Sequence, residues 1–142
     1  MALVKHTSSI NVRPVNTEFY SDFYTNFDKH PDKNDVLKYS NEESVKRAIR
    51  NILQTNRGER VFNPTFGSNI RKFLFENITP ITESLIREQV ETSINNFEPR
   101  AKLIDVIVSG YPDDNAYNIT VVFSTLNTID PIVLSVLLNR IR

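Results

Sequence analysis

The chain has only two imidazoles, His6 and His30, and no cysteine among its 142 residues. That inventory removes disulfides, thiolate nucleophiles and sulfur-ligated metals, and no triad or metal cluster can be assembled around the two histidines. Glycoside hydrolysis needs just two carboxylates, so the acidic residues have to be weighed one by one. Asp113-Asp114 reads as a solvated turn, Glu42-Glu43 as a helix start where acids complement the dipole, and Glu98 as a contact residue. No catalytic residue, metal site or cofactor is therefore expected. The remaining chemistry is recognition. In Glu98-Pro99-Arg100 a rigid proline separates an acid from a guanidinium, whose planar donors suit a carboxylate or a backbone carbonyl. The plainer reading of the same triplet is a helix stop with a surface ion pair.

These residues need elements to hold them. Val45, Ala48, Ile49, Ile52 and Leu53 recur at the spacing of one helical face, behind a Ser40/Glu43 capping box, which predicts a helix over about 41–55 with Gly58 just beyond. Asn63-Pro64-Thr65-Phe66-Gly67 predicts a tight turn, with Arg60 beside it as an interface candidate and Phe62, Pro64, Phe66 and Gly67 as architecture. Ser68 is placed to cap a short helix through Ile70, Phe73 and Leu74, and Phe73, Leu74 and Phe75 read as mainly core. Thr79-Pro80 opens a longer helix, over about 80–96, through Ile81, Leu85, Ile86, Val90, Ile94 and Phe97, until Pro99 stops it. After Arg100 the period falls to two: 103–108 and 117–124 predict a hairpin, and although Asp130-Pro131 could start a helix, the alternation of Ile132, Leu134, Val136 and Leu138 favours a third strand. Residues 19–27, FYSDFYTNF, are expected to be irregular or extended.

Composition bounds the rest. Lysines and arginines number 17 and so do the acids, which gives no field to draw the chain onto nucleic acid or anionic lipid. Met1 to Ile10 lack the apolar run of a secretion signal, and no stretch approaches the roughly 20 apolar residues of a membrane span, so a soluble protein is expected.

Four strings then stand in order: Thr55-x-x-Gly58-Glu59-Arg60, Phe62-x-Pro64-x-Phe66-Gly67-Ser68, Leu74-Phe75-Glu76 and Glu98-Pro99-Arg100. Their joint order, from about Tyr20 to Arg142, resembles the phage contractile-tail baseplate wedge family that initiates sheath assembly, to which a baseplate component of type VI secretion systems is related. Residues 75–82, FENITPIT, and the closing 138–142, LNRIR, look like its T4-type members. The resemblance implies a virion structural protein of the tail baseplate, assembled in the host cytoplasm. It implies that Glu98 and Arg100, on either side of Pro99, bind the helical bundle of other wedge proteins, with Arg60 a further candidate for that contact. It also implies that strand edges accept sheath subunits, with the hairpin 103–124 and the tail 131–142 as candidate surfaces and Ile132, Leu134, Val136, Leu138, Arg140 and Arg142 as the candidate residues, and that tube or hub proteins are further partners. Family members have been credited with lysozyme activity, so a peptidoglycan-degrading tail enzyme is the alternative.

The expected fold is α+β: two main helices packed on a small antiparallel sheet formed by the C-terminal third. An extended N-terminal arm, 1–18, is expected ahead of a single domain, 19–142.

Overall fold

The computed structural model describes residues 18–140 except Thr25 and Asn127, and Ile129 in its backbone alone. The expected arm therefore lies outside the described residues but for Glu18, whose carboxylate meets Lys38 Nζ at 2.5 Å.

Part of the aromatic stretch expected to be irregular or extended is a strand. β1 (Ser21–Phe23) pairs antiparallel with β2 (Lys38–Ser40), with Ser21 opposite Ser40, and Tyr24 stacks on Tyr39 at 4.0 Å between centroids. Helix α1 (Asn41–Gln54) follows directly and buries Val45, Ile49, Ile52 and Leu53, the face its spacing predicts. The capping box does not form. Ser40 is still extended as the last residue of β2, and Asn41, at φ 50°, bends the chain so that no side-chain bond caps the helix. Glu43 pairs with Lys46 at 2.8 Å instead, and Asn41 Oδ1 accepts from the Phe19 amide at 2.9 Å.

Helix α2 (Ile70–Phe73) begins one residue later than predicted, with Asn69 at its N-cap position. Ser68 is buried, and its hydroxyl donates to the Leu53 carbonyl at 2.9 Å, tying α2 to the end of α1. Of the three apolar residues that follow, Leu74 is core, Phe73 packs against the core and Phe75 is exposed. Helix α3 (Pro80–Phe97) starts as predicted, with Thr79 Oγ1 accepting from the Thr82 amide at 3.2 Å and Pro80 in the first turn. Its buried stripe is Thr82, Ile86, Val90, Ser93 and Ile94. Ile81 and Leu85, read as part of that stripe, are exposed, because the face is set by where the sheet lies and runs one position around the helix.

The C-terminal third is a meander: β3 (Ala101–Tyr111), β4 (Ala116–Thr125) and β5 (Thr128–Asn139), all antiparallel, in the order β3-β4-β5. A bulge shifts the register from Leu103 opposite Phe123 to Asp105 opposite Val122. The extra residue lets both Leu103 and Val106 face inward despite an odd separation, and Asp105 meets Arg87 of α3 at 2.7 Å. Val106, Ile119, Val121 and Phe123 form the inner face with alternate residues of β5, and α1 and α3 cover it. The architecture is the expected α+β arrangement of two main helices on a C-terminal antiparallel sheet.

Candidate functional site

The Glu98-Pro99-Arg100 corner forms where α3 gives way to β3. The Glu98 amide still donates to the Ile94 carbonyl at 2.8 Å, and its carbonyl accepts from the Ala101 amide at 3.1 Å, so one turn carries the chain from helix to strand. Glu98 is 3% exposed, Pro99 is exposed and Arg100 is half-buried. The ion pair is bidentate, with Nε to Oε1 at 2.5 Å and Nη2 to Oε2 at 2.7 Å. Hydrogen bonding to Glu98 raises the Arg100 pKa above its ordinary value against the opposing effect of partial burial. In this chain the acid is thus consumed by its own arginine, while Nη1 makes no hydrogen bond within the described residues. The guanidinium also lies 5.4 Å from the Tyr20 ring, so its orientation is fixed from two sides.

The loop of 55–68 closes on itself. The Gly58 amide donates to the Pro64 carbonyl at 2.8 Å, the Ser68 amide to the Thr55 carbonyl at 2.9 Å, and the Asn56 amide to Glu59 Oε2 at 2.7 Å. Gly67, at φ 109°, is required: a Cβ there would run into the Thr55 carbonyl oxygen. Arg60 stacks over Phe66 at 3.8 Å, and Phe66 meets Phe97 at 5.1 Å, immediately before Glu98. Two ring contacts therefore connect Arg60 to the corner, a proximity that nothing in their sequence separation signals. Phe62 does not anchor the loop, contrary to expectation. It is fully exposed, because neither the Arg60–Asn63 turn nor any other described residue covers it.

The third candidate surface is the outer edge of β5. Ile132, Leu134, Val136 and Leu138 are all buried on the inner face, paired across β4 with Phe123, Val121, Ile119 and Tyr117. Their side chains fill the core, and an incoming chain would not meet them. The Arg140 amide donates to the Asn115 carbonyl at 3.2 Å. By the two-residue alternation of a strand, the main-chain groups of Leu138, Val136, Leu134 and Ile132 then also turn toward β4. Those of Val133, Ser135 and Leu137 turn to the open edge, and the side chains of Val133 and Leu137 are exposed. Arg140 is exposed, 5.2 Å from the Phe75 ring, and Arg142 lies outside the described residues.

The clefts offer little to a sugar. One, of about 580 Å³, is lined by Tyr111, Asp114, Ala116, Asn118, Leu137 and Asn139. A second, of about 570 Å³, places Arg71 and Arg140 around Leu74, Phe75 and Leu137. A third, of about 290 Å³, holds Glu83 and Arg87 between α3 and β3, and there Glu83 Oε1 accepts from the Gly110 amide at 2.8 Å. None of the three sets two carboxylates across from each other. Among the described residues no three His, Cys, Asp or Glu side chains gather as metal ligands.

Comparison with known proteins gives a consistent result. The family described as baseplate wedge protein gp25 matches residues 39–128. The baseplate wedge protein gp25 of Enterobacteria phage T4 is 33% identical over 98 residues, covering 69% of this chain and 74% of the phage protein. A Geobacter sulfurreducens crystal structure, provisionally named a tail lysozyme, is 30% identical with a TM-score of 0.65, over 71% of this chain and 92% of that one. A chain of the type VI secretion baseplate complex shares the fold, with a TM-score of 0.59 at 19% identity, over 68% of this chain and 90% of that one.

Proposed function

We propose, from the premise that the chain belongs to the baseplate wedge protein gp25 family, that it is the wedge subunit on which tail-sheath polymerisation begins. Membership makes it a structural component of a contractile-tail baseplate, where it assembles with other baseplate proteins. The observation that carries the finer reading is the outer margin of β5, a 12-residue edge strand whose outward amides and carbonyls face no partner strand among the described residues. An extended segment of a sheath subunit can add there as a fourth strand, bonded through the main chain of Val133, Ser135 and Leu137. The corner serves the other attachment. Glu98 holds Arg100 rigid, and the remaining guanidinium donors, with Arg60 nearby, face the helical bundle of wedge proteins. Tube or hub proteins are further neighbours in this reading.

Ser135→Pro tests the edge. It removes an outward N–H and no bond to β4, and it forfeits the Ser135 Oγ to Asn118 Oδ1 contact of 2.8 Å, so stability should fall by only about 1 kcal/mol. Baseplates carrying the variant should form and remain unsheathed in electron micrographs. Normal sheaths would sink the strand-acceptor role.

The muralytic alternative follows from the name given to the Geobacter relative. The structural reading is favoured because Glu98 is locked to Arg100 and the three clefts described bring no second carboxylate into opposition. Incubated with peptidoglycan, the purified chain should release no soluble sugar. Sustained release would reinstate the enzyme.

A further inference from the structure

The tip of the 55–68 loop holds two apolar side chains in water. Phe62 is 101% exposed and Val61 88%, while the backbone beneath them is fastened. The Asn63 amide donates to the Arg60 carbonyl at 3.3 Å, the Phe66 amide to the Asn63 carbonyl at 3.2 Å, and the Gly58 and Ser68 amides close the base of the loop. Thr65 Oγ1 reaches Asn63 Oδ1 at 2.9 Å, and Arg60 is pinned over Phe66. A loop constrained in this way has already lost the conformational freedom that binding would otherwise have to remove. Aromatic residues presented on such supports are the usual anchors of protein interfaces.

We infer that Phe62, with Val61, is a knob that inserts into an apolar pocket on another baseplate subunit, one whose rim carries carboxylates. The sign of the rim follows from the loop that carries the knob. Arg57 and Arg60 are exposed on it, against the single acid Glu59, which is already bonded to the Asn56 amide. A loop of net positive charge selects a negative rim and repels a positive one. A second copy of this chain fits that description poorly at the three clefts described: one carries Arg71 and Arg140, the one beside α3 balances Glu83 with Arg87, and one offers Asp114 alone.

The inference rests on the chain's place in the baseplate wedge and names a contact beside the Arg100 corner, made by Phe62 and not by the Glu98–Arg100 pair. Phe62→Ser should leave the thermal midpoint of the purified protein unchanged, since the side chain is fully exposed among the described residues. It should lower incorporation into baseplates about tenfold or more in a complementation assay. In the companion experiment Phe62 is replaced by p-benzoylphenylalanine and assembled particles are irradiated. The expected product is one cross-link to a different baseplate subunit, at a peptide of apolar residues flanked by Asp or Glu. Undiminished incorporation of Phe62→Ser, a cross-link to a second copy, or a cross-link to a basic peptide would each overturn the knob while leaving the wedge role standing. Exclusion of the unaltered chain from particles would remove both.

Discussion

Arg100→Ala should lower the unfolding free energy by about 3 kcal/mol, and Glu98→Ala with Arg100→Ala should recover most of that loss. The single substitution strands a carboxylate that is 3% exposed and receives its two side-chain hydrogen bonds from Arg100. Removing one partner of a buried pair costs about 3–5 kcal/mol, whereas removing both is often close to neutral. The low end applies because the Arg100 side chain is 33% exposed and water can enter the space it leaves. Urea unfolding of the two single variants and the double variant forms a thermodynamic cycle, and a double variant no more stable than Arg100→Ala would show that the pair is not the source of the cost. The same double variant then separates folding from assembly. Folded yet excluded from wedges, it would support the proposed contact. Folded and incorporated normally, it would leave the pair only a structural role.

Gly67→Ala is the second large effect, at about 2–4 kcal/mol. Its φ of 109° is strained for any L side chain, and the added methyl would overlap the Thr55 carbonyl oxygen, which itself accepts from the Ser68 amide. Gly58 provides the internal comparison. It also has a positive φ, 86°, but open space surrounds its Cβ position, so Gly58→Ala should cost about 1 kcal/mol. Denaturation midpoints should rank wild type above Gly58→Ala and Gly58→Ala above Gly67→Ala. Equal losses would mean that backbone conformation alone, without the collision, sets the penalty.

Elements whose burial matches a period were readable in the sequence. The α1 stripe, the Thr79-Pro80 start of α3 and the alternation in β4 and β5 all reflect one face meeting one core. The β1–β2 ribbon had no such mark, since Ser21, Asp22 and Phe23 are all exposed and pair with residues about 17 positions away. The Ser40/Glu43 box failed for a related reason: β2 runs straight into α1, and the positive φ at Asn41 takes up the junction. Site residues were legible as types and not as environments. Spacing could pair Glu98 with Arg100, but burial decided that the acid points inward. Alternation identified β5 as a strand, but only its partner on β4 told which half of its residues faces the open margin. Phe62 looked like a loop anchor because aromatics in turns usually are, and no local pattern distinguishes one left outside.

The β3-β4-β5 order has a kinetic consequence. Each strand pairs with its neighbour in the chain across turns of a few residues, so the loop-closure entropy to be overcome before pairing begins is small. The sheet can zip from its two hairpins without waiting for α1, and the late event is the docking of that helix, some sixty residues upstream, onto a surface already formed. Mutations in the turns should therefore slow refolding, and those at Val45 or Ile49 should instead hasten unfolding.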